Sequence, residues 1–360
     1  MLNVRWGLRF VLGLVLGLSL AWACGAQESI HGVGSSAAHP VYRVWAEEYA
    51  RNGGRALRYE PSGSSAGLKS ARERRSDFGA SDIAPSQQDC ERDGLVLIPT
   101  AITGAVPVIN LPRFSGQRMV LDGDLLAAIF LGQIDKWNDA RIRALNPAVR
   151  LPDLSIERIV RSDGSGTTFH FSDYLSRVSP DWKRQLGAGA MLNWPAGTLS
   201  ARGSQGVVDR LLATPGGIAY VDYNYVLEHA LSAVALRVAD GSVIEAGPHA
   251  FRSALLSSTW VRSGDFTQTL THQSGKGAWP ITMGTFVVLP RVAEHAERTG
   301  AVIRFLTWAF LHGDNLVGRA HFVRLPDPVQ AKAYRALAEV RDRHGVPLSE
   351  SPLFVKQSSL

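Results

Sequence analysis

Cysteine is scarce in this chain, and its scarcity argues against two kinds of site. Among 360 residues only Cys24 and Cys90 occur. Cys24 lies in a segment that we expect to be removed or lipid-modified, so Cys90 has no partner for a structural disulfide. Because there is no cysteine cluster and the histidines are scattered, no metal site is indicated. No cofactor is expected either.

Long apolar runs are also rare. Residues 10–20 form a run that is too short to cross a bilayer and that lies between arginines and a group of small residues. This order predicts a signal peptide over residues 1–26 and therefore export from the cytoplasm. Cleavage before Cys24 or before Gln27 fits the small-residue rule. A lipid anchor at Cys24 is a second reading, although the bulky Trp22 is unusual in a lipoprotein signal.

Several signatures of enzymes and of nucleic-acid-binding proteins are missing. Gly275-Lys276 lacks the earlier glycine and the following hydroxyl residue of a P-loop. Ser165 lies in G-S-G rather than in the G-x-S-x-G of hydrolases, and the sequence places no histidine as its base. The net charge is +6, but no run rich in lysine and arginine marks a nucleic-acid surface. These absences argue against a nucleotide-binding protein, a serine hydrolase and a nucleic-acid-binding protein.

Strand-like and helix-like patterns alternate along the chain. Apolar residues at helical spacing between 41 and 49, for example, are followed by a strand-like segment at 56–60. This alternation predicts an α/β fold with mostly parallel sheets. Residues 95–101 and 106–110 are predicted as two strands, with the chain crossing to another lobe between them. Residues 187–206 are predicted to form a long loop.

Three turns rich in glycine, serine and threonine each precede a helical pattern, at residues 34–36, 63–65 and 164–167. A single turn of this kind is most simply a helix N-cap. Three of them in strand-to-helix connections indicate more, because ligands of open α/β sheets bind where such connections converge. Helix N-termini offer free amides to an anion, and Arg161, just before the third turn, adds a permanent cation. The pattern predicts an oxyanion site.

Asp82 is the unexpected member of this pattern. It follows a strand-like segment and would repel an anion, so its simplest interpretation is a turn-forming or N-cap residue. An ionised carboxylate can only accept hydrogen bonds. Asp82 therefore favours binding only if the anion carries a proton.

A series of motifs occurs in a characteristic order between residues 30 and 327. They are G-V-G-S-S at 32–36, P-V-Y-R-V-W at 40–45, G-S-S-A-G at 63–67, D-F-G-A-S-D at 77–82, K-W-N-D at 136–139, R-S-D-G-S-G-T-T-F at 161–169, G-I-A-Y-V-D-Y at 217–223 and W-P-I-T at 279–282. Together, in this order and spacing, they closely resemble the periplasmic phosphate-binding proteins of the phosphate-specific ABC transport system. No single motif would carry the resemblance.

The resemblance implies a two-lobed periplasmic-binding-protein fold of type II, with phosphate buried in the cleft between the lobes. Residues 28–105 and 278–345 would form lobe I, residues 106–277 lobe II, and residues 346–360 a C-terminal tail. It implies no enzyme but a monomeric, high-affinity periplasmic receptor that hands inorganic phosphate to ABC permease subunits and their ATPase. The implied ligands are Ser36, Ala37, Ser64, Asp82, Arg161, Ser165, Gly166 and Thr167, with Asp163 holding Arg161 in place.

One departure from the family pattern concerns the first turn. The family usually has Thr-Phe where this chain has Ser36-Ala37. Serine keeps the hydroxyl, and the amide of Ala37 survives loss of the ring, so we expect coordination to persist. The missing ring leaves the affinity in question, because one cleft wall loses an aromatic side chain.

Two functions of other classes stay open on the sequence. One is an extracytoplasmic phosphate sensor without a transport role. The other is a secreted phosphatase that uses Ser165 or Ser64 as its nucleophile.

Overall fold

The computed structural model describes residues 28–114 and 116–350. The predicted signal peptide and residues 351–360 of the predicted tail lie outside this part of the chain. Within it, no helix is both long and apolar enough to cross a membrane. Nor do the described histidine, cysteine and acidic side chains form a group of three that could hold a metal ion. Cys90 is a free, half-buried thiol.

Strands and helices alternate as predicted over most of the chain. The strands are β1 (Ile30–Gly34), β2 (Leu57–Glu60), β3 (Phe78–Ser81), β4 (Leu95–Asn110), β5 (Met119–Asp122), β6 (Glu157–Arg161), β7 (Leu199–Ala201), β8 (Gly217–Asp222), β9 (Ser232–Arg237), β10 (Val243–Ile244) and β11 (Thr282–Pro290). The helices are α1 (His39–Arg51), α2 (Ser64–Arg72), α3 (Gln87–Arg92), α4 (Gly123–Phe130), α5 (Ala140–Leu145), α6 (Gly166–Val178), α7 (Pro180–Gln185), α8 (Gly203–Leu212), α9 (Tyr223–Glu228), α10 (Pro248–Ser257), α11 (Thr259–Arg262), α12 (Ala296–His312), α13 (Asp314–Arg319) and α14 (Asp327–Ala338), followed by a 3₁₀ turn at Leu348–Glu350.

One ladder of strands runs through the described molecule in the order β2-β1-β3-β11-β4-β8-β6-β7. β4 lies in the middle and belongs to both halves. Its residues 95–104 pair with β11, and its residues 105–110 pair with β8. The strands on either side of this point, with the helices that cover them, form two lobes that share β4. The exact lobe boundaries given above stay a prediction.

β4 differs from the sequence prediction, which has two strands at 95–101 and 106–110. The structure has one continuous strand of 16 residues. Gly104 falls in the segment that the sequence predicts to cross between the lobes. In the structure its lack of a side chain instead permits close packing on the strand. A Cβ at Gly104 would lie 2.9 Å from Cζ of Phe251 and 3.0 Å from Cδ1 of Trp279. The glycine therefore makes room for two buried rings and does not break the strand.

The prediction of mostly parallel sheets was also wrong, because the sheet is mixed. β1 pairs in parallel with β2 and β3, and β6 pairs in parallel with β7 and β8. The central pairs of β4 with β11 and with β8 are antiparallel. β4 and β11 run in opposite directions across the middle of the ladder, so they meet in antiparallel register.

The predicted loop at 187–206 is shorter than expected. It contains β7, which pairs with β6, and the first turn of α8. β7 has only three residues, which is too short for alternation to be recognised in a Gly/Ser-rich stretch.

Helix α2 lies unusually close to the strands beneath it. A Cβ at Gly67 would meet the carbonyl of Ala80 and lie 2.8 Å from the Cα of Gly34, and a Cβ at Gly79 would clash with Gly67. Since glycine removes the side chain that would hold the elements apart, the helix backbone packs directly on β1 and β3. This contact fixes the N-terminus of α2 beside the carboxyl ends of both strands.

Candidate functional site

The buried polar side chains of the described residues concentrate where strands end and helices begin. On one wall of the cleft, Ser36 follows β1, Ser64 opens α2 and Asp82 follows β3. On the other wall, Arg161 ends β6 and residues 165–167 open α6. Each of these side chains is buried. The structure thus brings the eight predicted ligand residues to one cleft: Ser36, Ala37, Ser64, Asp82, Arg161, Ser165, Gly166 and Thr167.

The backbone and side chains of the two walls touch directly. The amide of Ser65 donates to the carbonyl of Gly164 over 3.0 Å. The hydroxyls of Ser36 and Ser204 lie 2.9 Å apart. A Cβ at Gly166 would lie 2.6 Å from Oδ2 of Asp82 and 2.6 Å from Oγ of Ser64. The cleft is therefore closed, and glycine at 166 is what lets α6 reach the opposite wall.

Arg161 is the cation of the site, and Asp163 is its main partner. The guanidinium donates from Nε to Oδ1 of Asp163 over 2.8 Å and from Nη2 to Oδ2, in a two-pronged arrangement that suits its planar shape. Its Nη1 donates to Oγ of Ser204 over 3.3 Å. Burial acts to raise the pKa of Asp163, but the hydrogen bonds and charge of Arg161 hold that pKa below its usual range. Asp163 is thus an ionised anchor for Arg161.

Asp82 is a carboxyl group with one oxygen satisfied and one oxygen free. Oδ2 accepts from the hydroxyl of Ser35 over 2.7 Å and from that of Ser64 over 3.1 Å. Oδ1 is buried and has no hydrogen-bond partner among the described residues. Burial, followed by the negative charge of Asp222, raises the pKa of Asp82 to about 7. The site therefore contains a buried acceptor for which the described protein supplies no donor.

The start of α6 combines a helix cap with amide groups that have no partner within the helix. Oγ of Ser165 accepts from the amide of Thr168 over 3.1 Å, which is the N-cap interaction that a single turn of this type predicts. The first amides of a helix have no partner within the helix. The amides of Gly166 and Thr167 are consequently available to an anion, and the positive end of the helix dipole points the same way.

Two residues of the site escaped the sequence analysis, Ser204 and Asp222. Asp222 has no exposed surface, and it accepts from Thr167 over 2.8 Å and from Ser204 over 2.6 Å. Burial raises the pKa of Asp222. A signal was present, because Asp222 ends a strand much as Asp82 follows one, and Ser204 opens a helix after a glycine as Ser64 does. Arg161 thus lies among the buried side chains of Asp82 and Asp222 and the partly buried side chain of Asp163. We therefore expect hydrogen bonds to contribute more to anion binding than net charge does.

Comparison with known proteins places the chain in a family. Residues 23–311 match the sequence model of a PBP superfamily domain. The "Phosphate-binding protein PstS" of Xylella fastidiosa (strain Temecula1) is 38% identical over 309 residues, which cover 85% of each chain. The protein of the same name from Haemophilus influenzae is 36% identical over 301 residues, covering 84% of this chain and 90% of its own.

Solved structures agree on the fold. The phosphate-binding protein from Stenotrophomonas maltophilia superposes with a TM-score of 0.66 at 16% identity, covering 86% of this chain and 94% of that one. A periplasmic phosphate-binding protein called PfluDING gives a TM-score of 0.68 at 20% identity. At these identities the likeness supports the fold alone. The two-lobed fold and the family expected from the motifs are both confirmed: the chain belongs to the PBP superfamily and, within it, to the PstS family of phosphate-binding proteins.

Proposed function

We propose that this protein is a high-affinity receptor for inorganic phosphate that serves an ABC importer. The relatives named PstS support a phosphate-binding role. Within the site, the observation that carries the proposal is the unpartnered Oδ1 of Asp82, buried in a closed cleft with Arg161 and the start of α6. Such a cleft needs an anion that also brings a hydrogen-bond donor.

Phosphate meets this requirement because it keeps at least one proton at neutral pH, whereas sulfate keeps none. The P–OH group would donate to Oδ1 of Asp82. The remaining oxygens would accept from Arg161, from the hydroxyl of Ser165 and from the amides of Ser36, Ala37 and Gly166. The hydroxyls of Ser36, Ser64 and Thr167 would also donate to phosphate after turning from Ser204, Asp82 and Asp222, since each hydroxyl has one proton. Sulfate in the same place would leave Asp82 facing an oxygen without a proton. A buried polar group left unpaired in this way can favour the correct ligand by about 10⁴-fold.

The handover to a transporter follows from the family rather than from the site. The receptor would work in the periplasm as a monomer, and it would deliver phosphate to permease subunits that are driven by an ATPase. Lobe I would comprise residues 28–105 with 278–345, and lobe II residues 106–277. The boundary lies next to the point in β4 where its partner changes from β11 to β8.

The geometry gives no support to the phosphatase alternative. Oγ of Ser165 caps α6 by accepting from Thr168. Oγ of Ser64 accepts from the amide of Asp82 and donates to its carboxylate. His170 directs Nε2 at a backbone carbonyl rather than at either serine. No histidine contacts either serine, and the carboxylate that Ser64 meets is Asp82, which the proposal assigns to the ligand. With the phosphate-binding relatives, this supports binding without covalent chemistry.

Calorimetry of the exported protein with phosphate and with sulfate tests the proposal. At a pH well above 7, where Asp82 is ionised, we expect one phosphate per chain and far weaker binding of sulfate, because sulfate cannot donate to the carboxylate. Failure to bind phosphate would refute the proposed function. Equal affinity for the two anions would leave an anion receptor but remove the role of Asp82.

Replacing Gly166 with alanine should weaken phosphate binding by about 5- to 150-fold, the range expected when an extra methyl group costs about 1–3 kcal/mol. The new Cβ would lie 2.6 Å from both Oδ2 of Asp82 and Oγ of Ser64, so the walls could not close fully. The affinity is measured by calorimetry, and thermal unfolding without phosphate checks that the protein folds normally.

Gly206→Ala is the matched control for Gly166→Ala. Gly206 lies in helix α8, and a Cβ there would be 3.6 Å from Cβ of Ala201, which is an ordinary van der Waals contact. This variant should bind phosphate as the parent does. If Gly166→Ala and Gly206→Ala had the same affinity, close approach of α6 to Asp82 would not matter for binding.

A further inference from the structure

His170 is a buried histidine that connects the two walls of the cleft. It lies on α6, one turn after the helix start, and is 4% exposed. Its Nε2 is 2.7 Å from the backbone carbonyl oxygen of Asp82, which belongs to the opposite wall. The two residues are 88 positions apart in the sequence, so the contact exists only because the lobes meet.

The direction of this hydrogen bond is fixed by its partner. A carbonyl oxygen can only accept, so Nε2 must carry the proton. Burial lowers the pKa of His170, so the ring is neutral and Nδ1 is an acceptor. Nδ1 is buried and has no protein partner among the described residues. The Nε2–H bond to Asp82 is therefore the hydrogen bond that orients the ring.

The same bond completes the set of contacts that hold Asp82. The amide of Asp82 donates to Oγ of Ser64, and its carboxylate accepts from Ser35 and Ser64, all on its own wall. His170 fixes the remaining backbone group from the other wall. The amide, the carbonyl and Oδ2 of Asp82 are thus all hydrogen-bonded. Contacts from both walls therefore determine the direction in which its Oδ1 points.

His170 and Asp82 also border a small cavity. Its volume is about 30 Å³, and its walls include Asp82, His170, Trp260 and Phe286. That space is sufficient for one water molecule, which needs roughly 10–15 Å³.

We propose that His170 is a positioning residue for phosphate binding: its Nε2–H bond to the Asp82 carbonyl forms as the cleft closes, holds the Asp82 carboxylate against the ligand, and slows phosphate release. The inference rests on the proposed function above. A histidine that served only to fill the core would stabilise the protein with or without phosphate. A bond between the walls acts on the closed, phosphate-bound form.

The test is the rate of phosphate release from the wild type, H170F and H170Q, measured by stopped-flow mixing. Phenylalanine keeps an aromatic ring but cannot donate, so release should be about 10-fold faster, with little change in the association rate. Glutamine can place its amide nitrogen near the position of Nε2, so H170Q should release phosphate within about 3-fold of the wild-type rate. H170A supplies the same comparison as H170F if the latter does not fold.

Two controls separate this role from a structural one. Thermal unfolding without phosphate should be similar for the wild type and H170Q, and phosphate should raise the unfolding temperature of both more than that of H170F. His312→Phe, at the C-terminal end of α12 and beside Trp308, should leave the release rate unchanged. Wild-type release rates in H170F, or release from H170Q as fast as from H170F, would overturn the inference while leaving phosphate binding intact. Absence of phosphate binding to the wild type would instead overturn the proposed function and this inference together.

Discussion

Replacing Arg161 with methionine should reduce phosphate affinity by about 10²- to 10⁴-fold, the loss expected from two charge-assisted hydrogen bonds of roughly 1.5–3 kcal/mol each. Among the described residues of the site, Arg161 supplies the buried positive charge, and it is 5% exposed. Methionine has a comparable length but neither charge nor donors. The cleft would then present Asp82, Asp163 and Asp222 to the anion with no compensating positive charge.

The same change should also destabilise the protein. Breaking a buried ion pair by removing one partner typically costs about 3–5 kcal/mol, because the remaining charge stays buried. The remaining charge here is Asp163. Without Arg161, its carboxylate would still accept a hydrogen bond from the amide of Gly203. Chemical denaturation without phosphate measures this loss separately from the loss of affinity.

Arg158→Met is the matched control for Arg161→Met. Arg158 lies on the same strand, β6, but its side chain approaches the backbone of Ala196 rather than the cleft. The Arg158→Met variant should bind phosphate with the parent affinity. Arg161→Lys adds a second comparison, since lysine keeps the charge but loses the two-pronged geometry. The phosphate affinity of Arg161→Lys should fall between those of Arg161→Met and Arg158→Met. If Arg161→Met bound phosphate within about 10-fold of the parent, the anion would not be held by this guanidinium.

Replacing Asp82 with asparagine should lower the preference for phosphate over sulfate by about 10²- to 10⁴-fold. Asparagine is nearly the same size, and its amide can donate to an unprotonated oxygen. Sulfate would therefore gain a hydrogen bond where it now meets a carboxylate, and phosphate would lose its best acceptor. Calorimetry with both anions gives the ratio.

The pH dependence of sulfate binding has the same cause. Burial raises the pKa of Asp82 to about 7, so below that pH the carboxyl group is protonated and can donate to sulfate. Sulfate affinity should accordingly rise as the pH falls through about 7 in the parent protein and stay level in Asp82→Asn. Asp77→Asn is the control, because Asp77 lies at the opposite end of β3 and pairs with Arg298 outside the cleft. An unchanged anion ratio in Asp82→Asn would remove Asp82 from the explanation of specificity.

The parts of the site that could be predicted are those with a local signature. Ser36, Ser64 and Ser165 lie in Gly/Ser turns that mark helix starts, and Arg161 precedes such a turn. Asp82 looked unfavourable by itself, and it became meaningful only through the order of all the motifs. The sequence also identified the family, because several weak motifs at the right spacing are together specific.

The parts that could not be predicted depend on contacts between distant segments. Asp222 reaches Thr167 only because β8 pairs with both β4 and β6. In the sequence His170 stands between Phe169 and Phe171, and no motif marks it as part of the site. Its role depends on α6 meeting Asp82 across the cleft. No local pattern encodes either contact: the first requires strands that are distant in the sequence to pair within one lobe, and the second requires the two lobes to meet.

β4 has a mechanical consequence for how such a receptor would open and close. The strand is continuous over 16 residues, and neighbouring stretches of it are hydrogen-bonded into different lobes. Rotation of one lobe against the other would therefore bend or twist β4 within its sheet. The strand has no flexible linker at residues 104–105, where its partner changes from β11 to β8. Deformation of a hydrogen-bonded strand produces an elastic restoring torque. The hinge would then resist lobe rotation elastically. After the anion leaves, the two lobes would return toward one preferred interlobe angle.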